Sequence, residues 1–191
     1  MSRELAVFGG SFDPPHIGHV FLAAYALSVG VERVLVVPTF QHAFDKQLQD
    51  FAHRMRMCEL AFSLLPAVEV SPIEQELGGI SRTLRLVEAL ATRYPGYQLR
   101  LLVGADILLQ AHRWHRFDEI RAIAPLLVAQ RGGYGADAAD AGTLSAGPLL
   151  PEVSSTAIRA SLARGDDVST WVPAQVRAYV EAHQLYRAST T

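Results

Sequence analysis

The chain has 191 residues, half of them hydrophobic and 19% charged, and its formal net charge is −2. That length suits one domain with a substantial core, and the charge gives no global attraction to nucleic acid or to an anionic membrane. The single cysteine, Cys58, excludes an intramolecular disulfide framework and fits the cytosol.

Met1-Ser2-Arg3-Glu4 leads straight into a strand, without the n-region and h-region of a signal peptide. No apolar run approaches the roughly 20 residues that span a bilayer, so a cytoplasmic location is expected. Leu5 to Phe8 is an apolar run of strand length, followed by the turn Gly9-Gly10-Ser11 and then Asp13-Pro14-Pro15. The glycines carry no Cβ and let the backbone approach a ligand. Pro14 and Pro15 suit a helix's first turn, whose amides lack partners. His16 and His19, three apart, share a helical face beside those amides. Open amides, a positive helix end and two imidazoles together make a polyphosphate site.

Ile17 to Val29 reads as a largely buried helix stopped near Gly30, and Arg33 to Val37 as a strand ended by Pro38. A polar, aromatic loop from Thr39 to Asp50 contains Lys46, the only lysine in the chain. Phe51 to Leu65 is expected to be helical, with Met55, Cys58, Leu60 and Phe62 among its apolar positions, and Val68 to Ser71 to be a strand. Ile73 to Gly79 reads as a loop, and Ser81 as the cap of a helix reaching Arg93, broken by Tyr94-Pro95-Gly96. Gln98 to Val103 is a strand, and Gly104-Ala105-Asp106 turns the chain into a short helix.

After a loop bearing Trp114 come a helix at Phe117 to Ile123 and a buried strand at Pro125 to Gln130. Gly132 to Gly147, rich in Gly, Ala and Asp, reads as a mobile loop. Pro148 to Val153 reads as a short strand. Ser155 to Ala163 and Pro173 to His183 read as helices, and Arg187 to Thr191 as a frayed end. Strand–helix alternation argues an α/β fold, a Rossmann-like doubly wound parallel sheet covered on both faces. Ligands then bind beyond the carboxyl ends of the strands. A single domain over 1–191 is expected, with 154–186 as a small C-terminal helical part.

A glycine turn after a strand also occurs in dinucleotide-binding dehydrogenases, but those carry G-x-G-x-x-G and an acidic residue ending the second strand. Here the glycines are adjacent and Arg33-Val34-Leu35-Val36-Val37 ends in proline. Instead, Gly9-Gly10-Ser11-Phe12-Asp13-Pro14-Pro15-His16-Ile17-Gly18-His19 resembles the signature of the HxGH nucleotidyltransferase superfamily. Within it, the string is most similar to the bacterial nicotinate-nucleotide adenylyltransferase family. Three further blocks follow in the family's order: Gly104-Ala105-Asp106 before Trp114-His115, Gln130-Arg131-Gly132, and Ser154-Ser155-Thr156-Ala157-Ile158-Arg159.

Ser154, Ser155 and Thr156 open a helix and offer hydroxyls and amides to an anion, or act as an ordinary cap. Arg159 lies four residues after Ser155, on the same face, where its fork can grip phosphate oxygens. The resemblance implies that His16, His19 and Arg159 are catalytic. It implies ATP contacts from Gly9, Gly10, Ser11 and Phe12, from Gly104, Asp106 and Arg131, and from Ser154 to Thr156. Asp106 would bond a ribose hydroxyl, and an N-cap role is compatible with that. Trp114 would stack on a pyridine ring; a lone tryptophan is otherwise core, which is where Trp171 is placed.

Two segments depart from the family. Its P-P-H-[KR] stretch stands here as Pro38-Thr39-Phe40-Gln41-His42-Ala43-Phe44-Asp45-Lys46, where Lys46 can supply the same positive charge. Its S-Y-T-x-D-T-[LM] block stands as Ser81-Arg82-Thr83-Leu84-Arg85-Leu86-Val87, keeping Ser81 and Thr83 as acceptor contacts. Arg82 or Arg85 either adds positive potential for an acidic base or is solvated helix charge. His42, His53, His112, His115 and His183 show no zinc spacing, and no protein-bound metal is expected.

The resemblance implies transfer of AMP from ATP to nicotinate mononucleotide, with release of pyrophosphate and Mg²⁺ carried mainly on the ATP phosphates. The alternatives are the same chemistry on nicotinamide mononucleotide or a phosphopantetheine, or a nucleotide-binding regulator without turnover. A homo-oligomer is compatible with the sequence.

Overall fold

The computed structural model describes residues 3–41, 48–104, 114, 116–129 and 151–187. Five strands form one parallel sheet: β1 (Glu4–Gly10), β2 (Arg33–Pro38), β3 (Val68–Val70), β4 (Gln98–Gly104) and β5 (Leu126–Ala129). Their order is β3-β2-β1-β4-β5. The described helices are α1 (Ile17–Ser28), α2 (Phe51–Phe62), α3 (Ile73–Leu77), α4 (Thr83–Arg93), α5 (Phe117–Ile123), α6 (Ser155–Arg164) and α7 (Ala174–Ala182). The doubly wound parallel sheet expected from the alternation is present.

Strand residues point alternately to the two faces of a sheet, and here both faces are apolar. Ala6, Phe8, Val34 and Val36 pack against Leu22 and Ala26 of α1, Met57 and Cys58 of α2, Ile158 of α6 and Val176 of α7. Leu5, Val7, Leu35 and Val37 pack on the other side against Ile73, Val87 and Leu90, with Ile120 of α5. Near-continuous apolar strands are what a sheet covered on both faces requires.

The chain leaves β1 toward β2 and β3, then returns to lay β4 on the opposite side of β1. The β1–β4 ladder is paired from Glu4–Gln98 to Val7–Leu101, and both strands run on beyond it. The ladder ends there, at the topological switch point, where such sheets hold ligands.

Several expectations change. Ile73 to Gly79 is not a loop: Ile73–Leu77 is one short helix. Only Ile73 is buried, so no apolar period marks it, and the turn is held from outside, where Arg85 donates to the carbonyls of Leu77 at 2.6 Å and Gly78 at 2.7 Å. Arg85 is exposed on α4 and caps this turn. Ser81 does not cap α4, which starts at Thr83 behind an extended Arg82 with no side-chain cap; its hydroxyl donates to Glu74 instead. The buried face of α2 is Arg54, Met57, Cys58, Ala61 and Phe62, with Met55 and Leu60 half-buried beside it. Pro151 to Val153 lies outside the strands of the sheet. The expected helix after Asp106, the 132–147 loop and Lys46 lie outside the described residues.

Candidate active site

The β1–α1 turn follows the carboxyl end of β1, at this switch point. Gly10 carries no side chain where a Cβ would come within 3.2 Å of the Phe12 ring. Phe12 has a positive φ of 47° and is 1% exposed. Its ring sits edge-on to Phe8 at 5.2 Å and to His19 at 4.9 Å. Phe12 is thus an anchor of the loop, and any ATP contact at this position would come from its backbone. The Thr39 amide donates to the Gly10 carbonyl at 2.9 Å and ties the end of β1 to β2.

His16 is the N-cap of α1, extended at φ −140°. Its amide donates to Nδ1 of His19 at 3.1 Å, and the two rings stack with centroids 3.7 Å apart and planes 22° apart. With Nδ1 accepting, the neutral His19 ring carries its proton on Nε2. Gly18 lies against this pair. A Cβ there would stand 3.1 Å from His16 Nδ1 and 3.2 Å from Val153 Cγ1, so only glycine lets α1, the histidine pair and the 151–153 segment meet.

The start of α6 docks on the same loop. Ser154 caps it by accepting from the Ala157 amide at 3.2 Å. Ser155 Oγ donates to the Pro14 carbonyl at 2.9 Å. Arg159 Nη1 donates to the Asp13 carbonyl at 2.6 Å, and Nη2 donates to Thr156 Oγ1 at 3.3 Å. Two sequence-distant clusters, His16–His19 and Ser154–Arg159, therefore share one turn. The first turns of α1 and α6 direct their positive helix ends toward it.

Asp13 is buried, 1% exposed, and its carboxylate accepts from Tyr186 Oη at 2.5 Å and from the Gln49 amide at 3.4 Å. Burial, then the bond to Asp13, pushes the Tyr186 phenol well above its ordinary range, so it stays a donor. Arg54, also 1% exposed, donates to the Gln49 carbonyl at 2.8 Å and the Ser11 carbonyl at 3.1 Å. Burial pulls its pKa down while the charge of Asp13 opposes that.

Sequence reading missed Arg54, Asp13 and Tyr186 as organisers. For Arg54 a signal existed: it occupies the buried face of α2 three, four and seven residues before Met57, Cys58 and Ala61. A charge on an apolar stripe needs a partner, and here it has two carbonyls. Cys58 is buried beside it, and burial raises its thiol pKa.

On the acceptor side, Gly104 ends β4, and Trp114 stands edge-on to Phe117 at 5.9 Å, packed on the core beside α5. Ser81 and Thr83 flank the start of α4. Ser81 Oγ is engaged twice, donating to Glu74 and accepting from the Gln41 amide at 3.3 Å. Glu74 also accepts from the Phe40 amide at 2.9 Å, and burial raises its pKa. The Ser81–Glu74 pair thus fastens the chain after β2 to α3. Trp171 is 39% exposed, not core, and its carbonyl accepts from the Ile17 amide at 2.8 Å. Asp106, Arg131, His42, His112 and His115 lie outside the described residues.

The cytidylyltransferase-like family model matches residues 7–161. A probable nicotinate-nucleotide adenylyltransferase of Anaeromyxobacter dehalogenans is 43% identical over 189 residues, covering 97% of each chain. The nicotinate-nucleotide adenylyltransferase of Bacillus subtilis is 30% identical, over 97% of this chain and 100% of its own. Among solved structures, nicotinic acid mononucleotide adenylyltransferase of Plasmodium falciparum complexed with NaAD superposes with a TM-score of 0.82 at 18% identity, covering 96% of this chain and 97% of that one.

Proposed function

Because the chain belongs to the cytidylyltransferase-like family, we propose that it is a nicotinate-nucleotide adenylyltransferase, moving AMP from ATP to nicotinate mononucleotide in NAD biosynthesis. The observation that carries the reading is the convergence of the His16–His19 pair and the Ser154–Arg159 cluster on the Ser11–Pro15 turn. Near-full-length relatives of that name supply the acceptor.

A phosphate oxygen of the acceptor attacks the α-phosphorus of ATP. The new phosphoanhydride bond forms as the bond from that phosphorus to the bridging oxygen breaks, and pyrophosphate leaves. The acceptor phosphate is itself the nucleophile, so no covalent enzyme intermediate is needed. The protein's work is to hold two anions in line and to stabilise charge on the transferring group. His19 Nε2–H and the positive end of α1 face the ATP phosphates, with His16 stacked behind. Arg159 and the Ser154–Thr156 amides hold the departing pyrophosphate. Gly9, Gly10 and Ser11 let the triphosphate lie on the backbone, while Phe12 fixes the turn beneath it.

The family resemblance assigns Gly104, Asp106 and Arg131 to the nucleoside, and Trp114, Thr83 and Lys46 to the acceptor. Ser81 acts through Glu74, holding the wall of the acceptor side.

Among the described residues no group of three or more His, Cys, Asp or Glu could hold a metal ion, and Asp13 is fully engaged within the protein. Mg²⁺ would enter on the ATP phosphates and offset their charge. Among the described residues, no helix is long and apolar enough to cross a membrane.

The test is pyrophosphate release from ATP with nicotinate mononucleotide, compared with its amide. Preference for the acid supports the proposal; release with neither, or preference for the amide, rejects it.

A further inference from the structure

We propose that Tyr186 is a positioning residue that keeps Arg159 available to phosphate by occupying the Asp13 carboxylate. The inference rests on the reading of Arg159 as a pyrophosphate contact.

A guanidinium beside a buried carboxylate ordinarily closes on it in a two-bond fork. Here it does not. Arg159 Nη1 lies 3.9 Å from Asp13 Oδ2, an ion-pair distance without a hydrogen bond, and donates to the main-chain carbonyl of the same residue at 2.6 Å. Both carboxylate oxygens are taken by other donors: Oδ1 by the Tyr186 hydroxyl at 2.5 Å and Oδ2 by the Gln49 amide at 3.4 Å. With Asp13 only 1% exposed, water has little access to replace either donor. Arg159 therefore keeps its charge and its second nitrogen on the Thr156 side, toward the first turn of α6.

The tail is built to deliver this hydroxyl. Past α7, Gln184 and Tyr186 both take positive φ, 52° and 63°, a conformation strained for residues with a Cβ. Between them Leu185 is buried in the core on the α1–α2 side of the sheet, and the Tyr186 ring packs against the same core. Its hydroxyl is carried across 173 residues of sequence to Asp13. Phenylalanine would preserve the ring packing and delete only the donor.

Without that donor, Asp13 Oδ1 is buried and unpaired, a state costly enough to recruit the nearest cation. Arg159 then turns into a fork with Asp13, and its charge is spent inside the protein. The ligands that lose are those with β- and γ-phosphates.

The experiment is calorimetric titration of the full chain and of Tyr186→Phe with ATP and with AMP, alongside thermal melts. The expected result is ATP binding weakened about tenfold, the scale of one ionic phosphate contact. AMP binding stays within about twofold, below the energy of one hydrogen bond. Equal shifts for both ligands, or a lowered melting temperature with unchanged ATP affinity, would assign Tyr186 to packing and overturn the inference.

A second variant guards the result. Asp13→Asn removes the charge that would capture Arg159, so adding Tyr186→Phe to it costs no further ATP affinity. A further loss of the single-mutant size overturns the inference. If Asp13→Asn does not fold, the ATP and AMP comparison in Tyr186→Phe decides alone. A wild-type chain that binds ATP but releases no pyrophosphate rejects the proposed function and leaves this comparison readable. A wild type that binds no ATP rejects both.

Discussion

His16 and His19 form one unit: their rings stack 3.7 Å apart, and the His16 amide donates to His19 Nδ1 at 3.1 Å. The bond occupies Nδ1 of His19, and edge contact with Phe12 holds the ring from the other side. A donor preset in this way needs no reorganisation as charge develops on the transferring phosphoryl group.

His19→Ala should therefore lower turnover about 100-fold, the scale of losing one preorganised donor, with little change in the KM of the acceptor. Steady-state kinetics with both substrates varied checks this. An unchanged kcat would remove His19 from the chemistry.

Gly18→Ala tests the packing that holds the pair. Its methyl would stand 3.1 Å from His16 Nδ1 and 3.2 Å from Val153 Cγ1, so ring or segment must shift. Overpacking of this kind costs about 1–3 kcal/mol. The variant should melt cooperatively at a lower temperature and show reduced kcat/KM, and unaltered kinetics would contradict the account.

Arg54→Met should destabilise the fold by about 3 kcal/mol in urea unfolding, because it leaves two buried carbonyls without their charged donor. Arg54→Lys keeps the charge but spans fewer acceptors, so it should recover only part of the loss. Equal stability of all three chains would mean that the contacts to Ser11 and Gln49 carry nothing.

Glu74 gives a pH signature. Burial raises its pKa above 4.5 in the folded chain, so on raising the pH it ionises first in the unfolded chain. That stabilises the unfolded state, and wild type loses stability relative to Glu74→Gln as the pH rises through 4.5 toward the raised folded value. Below that window the difference between the two chains is constant. Urea unfolding from acid to neutral pH measures it, and a difference flat across the window would contradict the assigned shift.

The sheet was legible because each strand is a short apolar run bounded by Gly or Pro, and because alternation with helices admits few topologies. The Gly9–Pro15 turn between β1 and α1 was legible because glycines and prolines break the chain between an apolar run and a helical pattern. α3 was not, since five residues with one buried anchor carry no period and their carbonyls are capped by Arg85 from another helix. Ser81 carries a helix-cap signature, yet tertiary contact with Glu74 outweighs the local preference. The Asp13–Tyr186 bond joins residues too far apart in sequence for spacing to suggest it. Arg54 could have been found from its place on the buried stripe of α2.

The central claim is that the turn shared by His16, His19 and Arg159 transfers AMP to an acidic pyridine mononucleotide. Its most direct test is the initial rate of pyrophosphate release from ATP and Mg²⁺ with nicotinate mononucleotide, set against the same assay with nicotinamide mononucleotide. The account predicts clear turnover with the acid and a kcat/KM for the amide lower by about tenfold or more, the value of one charge-assisted contact. Absence of release with the acid, or a preference for the amide, would contradict it.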